Sequence, residues 1–392
     1  MKHDCRHVQR REDRCDVAAL DGVTPTPAEV VSWDESLGRV LADPVVSDVD
    51  VPPFRRATMD GYAVLAESTY GASPYNPAVL TVIGESMPGS TSGPDVVAAS
   101  ACRIMTGAPI PAGADAVVRA EDATERADQV EITASVAAGR NVGRVGEDIA
   151  SGTTVLPAGH RVLAQDIGLL ASIGRTSVAV HRRPRVRIIV SGDELLAPGA
   201  RPGATSIVDS NSPMLSALVI RDGGIPTVER LPDDREAMRA ALAAPGADVI
   251  VTAGAASVGT EDNVPYLVDE LGELLIHGVA MRPSSPSGVG RIDDTPVLLL
   301  PGNPVSCLVA YDFFAGPVIR TMGGRSLTWP YPAVRLPLRK RIVSQIGRTD
   351  YARVVVIDGG VESLAVSGAS VLSSVTGATG FVVIPAGLEG YA

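Results

Sequence analysis

The chain has 392 residues and a formal charge of −11, with 45% apolar and 20% charged residues. That length exceeds one ordinary core and predicts roughly two to four domains, and the composition excludes a disordered chain. The acidity disfavours nonspecific binding to nucleic acid or anionic membranes, yet leaves room for a small anion held by local cations and backbone N–H groups.

Residues 1–15, "MKHDCRHVQRREDRC", read as a charged tail without the apolar stretch of a signal peptide. No uninterrupted apolar run reaches a transmembrane length, so a soluble, cytoplasmic protein is expected. Cys5 and Cys15 lie near His3 and His7, but the spacing fits no zinc pattern, and with Cys102 and Cys307 the cysteines are too scattered for a disulfide framework.

"PAEVVSWDESLGRVLADPVV" predicts a helix leading into an extended segment, with Trp33, Leu37 and Val40 near helical spacing. With residues 146–184, which alternate strand and helix, residues 16–50 form an expected base or linker domain. Between them, residues 51–145 are β-rich, as in "YAVLA", "AVLTVIGE", "CRIMTG", "DAVVRAED" and "QVEITA", separated by Gly/Pro/Ser turns.

At Arg185 the texture changes. "RVRIIVS" predicts a buried strand, and "SPMLSALVIRDGG" a helix with Ser212 as N-cap, Pro213 at its first position and Gly past its end. "PTVERLP", "DVIVTAG" and "PVLLLPGNP" predict strands. "DDREAMRAALAAPG", "VPYLVDELG" and "VSCLVAYDFFAGPVIRTMGG" predict helices. The alternation across residues 185–326 predicts an α/β domain with a largely parallel sheet. A Pro-rich linker then introduces a C-terminal β domain, residues 327–392.

Ligands of open parallel sheets bind beyond the carboxyl ends of the strands. The loops there are "SGDEL", "VDSNS", "TAGAASVGTED" and "LPGNPVS", rich in glycine, hydroxyls and helix starts that suit an anion. Each loop alone is equally good turn chemistry. Glu194, Asp209, Asp233 and Asp262 lie at element ends of this one domain, and carboxylates beside an anion site are a usual way to hold Mg²⁺ against phosphate. "VAMRPSSPSGVG" adds one cation, Arg282, among hydroxyls and prolines. In the β-rich region, "MDGYAV" and "IMTGAPIPAGADAVV" place Asp60-Gly61 and Thr106-Gly107 in tight turns.

"MDGYAV", "IMTGAPIPAGADAVV", "GEDI", "SGDEL", "DSN", "SVG..D", "LPGNPVS", "GRTDYARV" and "LSSVTGATGFVVIPAG" occur in one order from about Pro27 to the end. In that ordered set the chain resembles the MoeA family of molybdopterin molybdotransferases, which includes the gephyrin E domain. The resemblance implies an elongated homodimer of multidomain α/β and β subunits with a Mog-like α/β domain. It implies cleavage of adenylylated molybdopterin with Mg²⁺, release of AMP, and transfer of molybdenum from molybdate to the dithiolene. Transient partners would be a Mog-like adenylyltransferase and apo-molybdoenzymes.

Carried over by motif, Asp60 and Thr106 would face the pterin across the dimer interface. Glu194, Asp233 and Asp262 would hold the metal, and Arg282 would supply positive charge. Gly192, Asp209, Ser210, Asn211, Gly254, Ser257, Ser284, Ser285, Pro301, Pro304 and Ser306 would line the substrate. The chain departs from the family pattern at Ala255, where a glycine is usual. It departs again at Ser284 and Ser285, where Lys/Arg-Pro-Gly-Lys-Pro becomes Arg282-Pro283-Ser284-Ser285-Pro286. An active transferase and a divergent paralogue that binds pterin or nucleotide without efficient metal insertion are both consistent with these changes. A pure scaffold predicts losses among the acids, which are retained.

Overall fold

The computed structural model describes residues 18–254 and 264–392. By contacts the chain divides into two compact units: Ser32–Glu35 with Asp43–Val178, and the remainder.

The first of these contains a six-stranded sheet built from β1 (Gly61–Val64), β2 (Ala78–Ser86), β3 (Ser100–Ile104), β4 (Ala116–Arg119), β5 (Ala123–Arg126) and β6 (Gln129–Ile132), in the order β4-β1-β3-β2-β6-β5. Its small aliphatic core includes Val64, Leu80, Ala101, Val118, Val130 and Ile132. Gly61 opens β1 at φ +154°, where a Cβ would stand 1.9 Å from the Val118 carbonyl oxygen. Any side chain there would push β1 and β4 apart. Helix α1 (Ala164–Ser172) follows, its first turn fixed by Asp166, which accepts from the Leu163 amide at 2.7 Å.

The helix expected around Trp33 does not form: Ala28–Ser32 is a strand, and Asp34–Ser36 a single 3₁₀ turn. The β-branched pair Val30-Val31 favours extension. Trp33 and Leu37 also stay largely in solvent, so no buried helical stripe exists to offset it.

The second unit is organised on six strands: β7 (Arg185–Ser191), β8 (Ile225–Leu231), β9 (Val249–Ala253), β10 (Glu273–His277), β12 (Gly288–Ile292) and β13 (Thr295–Leu300), ordered β8-β7-β9-β13-β12-β10. β8, β7, β9 and β13 pair in parallel, whereas β12 pairs antiparallel with both β13 and β10, so β12 alone runs against the other strands. The remaining short strand β11 (Met281–Arg282) leaves this sheet for another.

Side chains alternate between two cores. Val186, Ile188, Val190, Val251 and Leu300 face α2 (Asn211–Asp222) and the long C-terminal helix. Ile189, Ile250, Val297 and Leu299 face α3 (Arg235–Ala243) and α4 (Val264–Leu271). Each such aliphatic side chain contributes about 1.5–3 kcal/mol when fully buried.

The long helix consists of α5 (Pro304–Ala310), a π-helical turn at Tyr311–Ala315, and α6 (Gly316–Met322). As one 19-residue stretch it is apolar enough to cross a bilayer, yet 72% of it is buried inside the fold, as a core helix is.

Helix α2 begins two residues earlier than its sequence signals, at Asn211, with Ser210 as N-cap. The reason is Asp209, whose carboxylate accepts from the Ser212 amide at 2.9 Å and from the Ser212 hydroxyl, drawing Ser212 into the first turn. The expected stop is present: Gly223 takes φ +93° at the C-terminal end.

The C-terminal strands β14 (Thr349–Ile357), β15 (Gly360–Ala365) and β16 (Gly380–Ile384) take β11 as a parallel neighbour of β14, in the register Met281–Thr349 and Arg282–Asp350. Phe313, Trp329, Tyr331, Tyr351 and Phe381 form a connected aromatic cluster, with Tyr351 stacked on Phe381 and Phe313 edge-on to Trp329.

Candidate functional site

The topology fixes where a ligand would sit. From β7 the chain passes through α2 to β8 on one side, then through α3 to β9 on the other. The crevice between the carboxyl ends of β7 and β9 is therefore the switch point of the sheet.

Among the described residues, two buried hydroxyls near that point have no hydrogen-bond partner: Ser191 Oγ at the end of β7 and Thr252 Oγ1 near the end of β9. Asn211, opening α2, donates through Nδ2 to the Gly302 carbonyl at 2.7 Å, while its Oδ1 is buried and likewise unpartnered. Buried polar atoms without partners are costly, so each of these three is open to a further partner.

Backbone packs tightly beneath them. Gly254 takes φ +101°, and a Cβ there would stand 3.0 Å from the Ser191 carbonyl oxygen. A Cβ on Gly302 would meet the Gly254 Cα at 3.4 Å, so the loops after β9 and β13 touch through two glycines. Pro301 is buried, and Pro304 begins α5.

Carboxylates gather at the rim. The Asp193 amide donates to Asp233 Oδ2 at 3.3 Å, and the Asp233 amide to Asp193 Oδ1 at 3.1 Å. This reciprocal pair brings Asp233 to the loop carrying Glu194, whose Oε2 lies 2.7 Å from where a Cβ on Gly192 would be. Glu194 and Asp233 are both exposed. Asp193 was not singled out from the sequence, although it lies inside "SGDEL". Ser257, Asp262 and the departure at Ala255 lie outside the described residues. Among the described residues, no three His, Cys, Asp or Glu side chains form a metal-holding group.

Asp209 is 3% exposed and engaged within the protein, since its carboxylate also accepts from Arg230 Nε at 2.8 Å. Burial pushes its pKa up, but the Ser212 hydroxyl and amide and the Arg230 guanidinium outweigh this and hold it below the usual carboxylate range.

The loop after β11 is pinned to the start of the long helix. Ser284 Oγ donates to the Ser306 carbonyl at 2.7 Å, and Ser287 Oγ to the Ser284 carbonyl at 2.8 Å. Ser285 is exposed, and its carbonyl accepts from the Val279 amide at 2.8 Å. Arg282 forms an ion pair through Nη2 with Asp350 Oδ2. A C-terminal segment joins the same neighbourhood: the Val305 amide donates to the Ala369 carbonyl at 2.9 Å, and Ser370 Oγ to Asn303 Oδ1 at 2.7 Å. Asp350 and Ser370 were not identified as site neighbours from the sequence.

In the other unit, Asp60 and Thr106 meet directly. Asp60 Oδ1 accepts from both the amide and the hydroxyl of Thr106, each at 2.7 Å. The amide first, and the hydroxyl second, hold the Asp60 carboxyl below its usual range.

Fold and site together define a multidomain α/β protein with a switch-point crevice and further β-rich domains. Comparison with known families makes the assignment specific. Residues 8–174 match the MoeA N-terminal region (domains I and II), residues 187–321 a probable molybdopterin binding domain, and residues 335–392 the MoeA C-terminal region (domain IV). The chain is 38% identical to molybdopterin molybdenumtransferase 2 of Mycobacterium tuberculosis, over 83% of this chain and 82% of that one. It is 34% identical to the molybdopterin molybdenumtransferase of Bacillus subtilis, over 93% and 87%. The crystal structure of a molybdopterin biosynthesis MoeA protein from Pyrococcus horikoshii superposes with a TM-score of 0.84 at 31% identity, covering 97% of each chain. The chain belongs to the MoeA family, whose relatives across several species are molybdopterin molybdenumtransferases of molybdenum cofactor biosynthesis.

Proposed function

We propose that this chain takes adenylylated molybdopterin and molybdate, cleaves the adenylate with release of AMP, and leaves molybdenum on the dithiolene. The observation that carries this reading is the switch-point cradle: three unpartnered polar atoms, on Ser191, Asn211 and Thr252, beside the exposed carboxylates of Glu194 and Asp233.

Both substrates are anions, so the site must neutralise charge while leaving the phosphorus open to attack. Hydroxyl and amide groups of Ser191, Ser210, Asn211, Thr252, Gly254 and Ser257 would orient phosphate and pterin, with Pro301, Pro304 and Ser306 shaping the wall. Arg282, Ser284 and Ser285 would line the anionic end. The hard carboxylate oxygens of Glu194 and Asp233, with Asp262, suit Mg²⁺, which supplies positive charge to phosphoryl oxygens when bound. Asp60 and Thr106 enter through the homodimer that the resemblance implies, each subunit lending its turn to its partner's site. Asp209 contributes by fixing the start of α2. The setting would be cytoplasmic, with a Mog-like adenylyltransferase upstream and apo-molybdoenzymes downstream.

The direct experiment incubates purified protein with adenylylated molybdopterin, molybdate and Mg²⁺, and follows AMP release and activation of a cofactor-free molybdoenzyme. Molybdate-dependent AMP release is expected, and is expected to be lost in Asp262→Asn. Tight pterin binding with no molybdate-dependent AMP release overturns the transferase reading. It favours instead a paralogue that binds without efficient insertion, for which alanine at position 255 and serine at position 285, in place of a glycine and a lysine, are the motivating observations.

A further inference from the structure

Arg282 and Asp350 come from different parts of the chain yet stand in parallel register on neighbouring strands, so their side chains share one face. The Asp350 side chain is 0% exposed, whereas that of Arg282 is 32% exposed. Asp350 also accepts from Ser344 Oγ at 2.8 Å, and its Oδ1 lies 3.1 Å from Arg348 Nε. One buried carboxylate thus sits beneath two guanidiniums that reach solvent, and the group keeps a net positive charge outward.

A buried carboxylate of this kind has no route to the substrate. It acts through the groups that meet it, Arg282, Arg348 and Ser344, of which Arg282 is the cation expected in the anion pocket. Asp350 tethers Arg282 by Nη2, while Arg282 Nε is buried without a partner among the described residues and the side chain as a whole stays 32% exposed. A planar fork held in one orientation can bind an oxyanion directionally, as a mobile ammonium cannot. The loop that follows is anchored separately, through Ser284 to the Ser306 carbonyl, so Asp350 is free to set the side chain alone.

We propose that Asp350 is a positioning residue for the proposed transfer reaction: it orients Arg282 toward the anionic substrate without touching that substrate. This rests on the functional reading above, and the test separates the two. The Michaelis constants for molybdate and for adenylylated molybdopterin are measured by AMP release for Arg282→Ala, Asp350→Asn and the double variant, with thermal unfolding as the check on folding. Each single variant is expected to raise one of the two constants by about tenfold, the size of one charge-assisted hydrogen bond, with kcat changed far less. The constant that rises identifies the anion.

Because the two residues act through one contact, the double variant is expected to be no worse than either single one, and Asp350→Glu to restore most of the loss. Arg282→Lys keeps the charge but not the fork and is expected to behave like Arg282→Ala, which supplies a test should Asp350→Asn fail to fold. Normal constants in Asp350→Asn or Arg282→Lys, with raised ones in Arg282→Ala, overturn the positioning role and leave the functional reading intact. Normal constants in Arg282→Ala remove Arg282 from the anion pocket, and the role of Asp350 falls with it.

Discussion

Ser284 donates its hydroxyl to the Ser306 carbonyl at 2.7 Å from a backbone held at φ +98°. Serine occupies a left-handed conformation here at the position where the family pattern has glycine, and the hydrogen bond offsets part of the cost. Removing the hydroxyl while keeping the Cβ is therefore the worse change. Ser284→Ala is expected to be destabilised by about 1–2 kcal/mol. Ser284→Gly relieves the backbone as it loses the bond, and is expected to stay within about 1 kcal/mol of the parent. Urea unfolding of the three proteins checks the order, and equal midpoints for Ala and Gly contradict it.

The Asp60–Thr106 pair makes a pH prediction. Thr106's amide and hydroxyl depress the Asp60 pKa, so the link stabilises the turn above the ordinary aspartate range and is lost as pH falls through the lower, folded value. Carbon-13 NMR titration should place the Asp60 carboxyl below an unperturbed aspartate. Thr106→Val removes only the hydroxyl and should move it part of the way back. An unmoved titration shows that the amide alone is responsible.

Much of this fold was legible from local pattern. "RVRIIVS", "DVIVTAG" and "PVLLL" are continuous apolar runs that only a doubly covered strand tolerates, and they are the buried centre of the sheet. The strands Glu273–His277 and Gly288–Ile292 were missed: the first, ELLIH, is a short run directly behind a helix, and the second carries Gly288 and Gly290, which weaken a strand signal. The loops of the crevice followed from strand order. The partners Asp350 and Ser370, by contrast, lie 68 and 67 residues from Arg282 and Asn303, and no local signal joins contacts across that distance. The left-handed turn at Ser284 was equally hidden, since serine gives no sign of positive φ.

Thr252 offers a test that separates binding from stability. Its hydroxyl is buried and has no hydrogen-bond partner among the described residues, so no bond within them depends on it. Thr252→Val conserves shape and removes that polar group, and is expected to leave stability unchanged or raise it by about 1 kcal/mol. If the hydroxyl belongs to the substrate cradle, the same variant should bind adenylylated molybdopterin about tenfold more weakly. Weaker folding together with unchanged binding would assign the hydroxyl to structure instead.

The polar cluster under the long helix should respond very differently. Asp222, 0% exposed, accepts from Arg221 Nη2 at 2.8 Å, Arg320 Nη1 at 3.2 Å and Tyr311 Oη at 3.1 Å. Asp312 accepts from the same Arg221 nitrogen at 2.8 Å and from Tyr331 Oη at 2.9 Å. Two carboxylates and two guanidiniums balance there, so removing Asp222 leaves buried positive charge uncompensated. Asp222→Ala is expected to cost about 3–5 kcal/mol, and calorimetric unfolding measures it. Asp312 differs because burial, only partly opposed by Arg221, already pushes its pKa above the usual value. The folded state therefore holds that proton more tightly than the unfolded chain does. Stability should fall as pH rises from the ordinary carboxylate range to the raised value, then level off. Asp312→Asn carries no such proton, so it should flatten that slope and cost less than Asp222→Ala. A variant that keeps the full slope places the titration on another group.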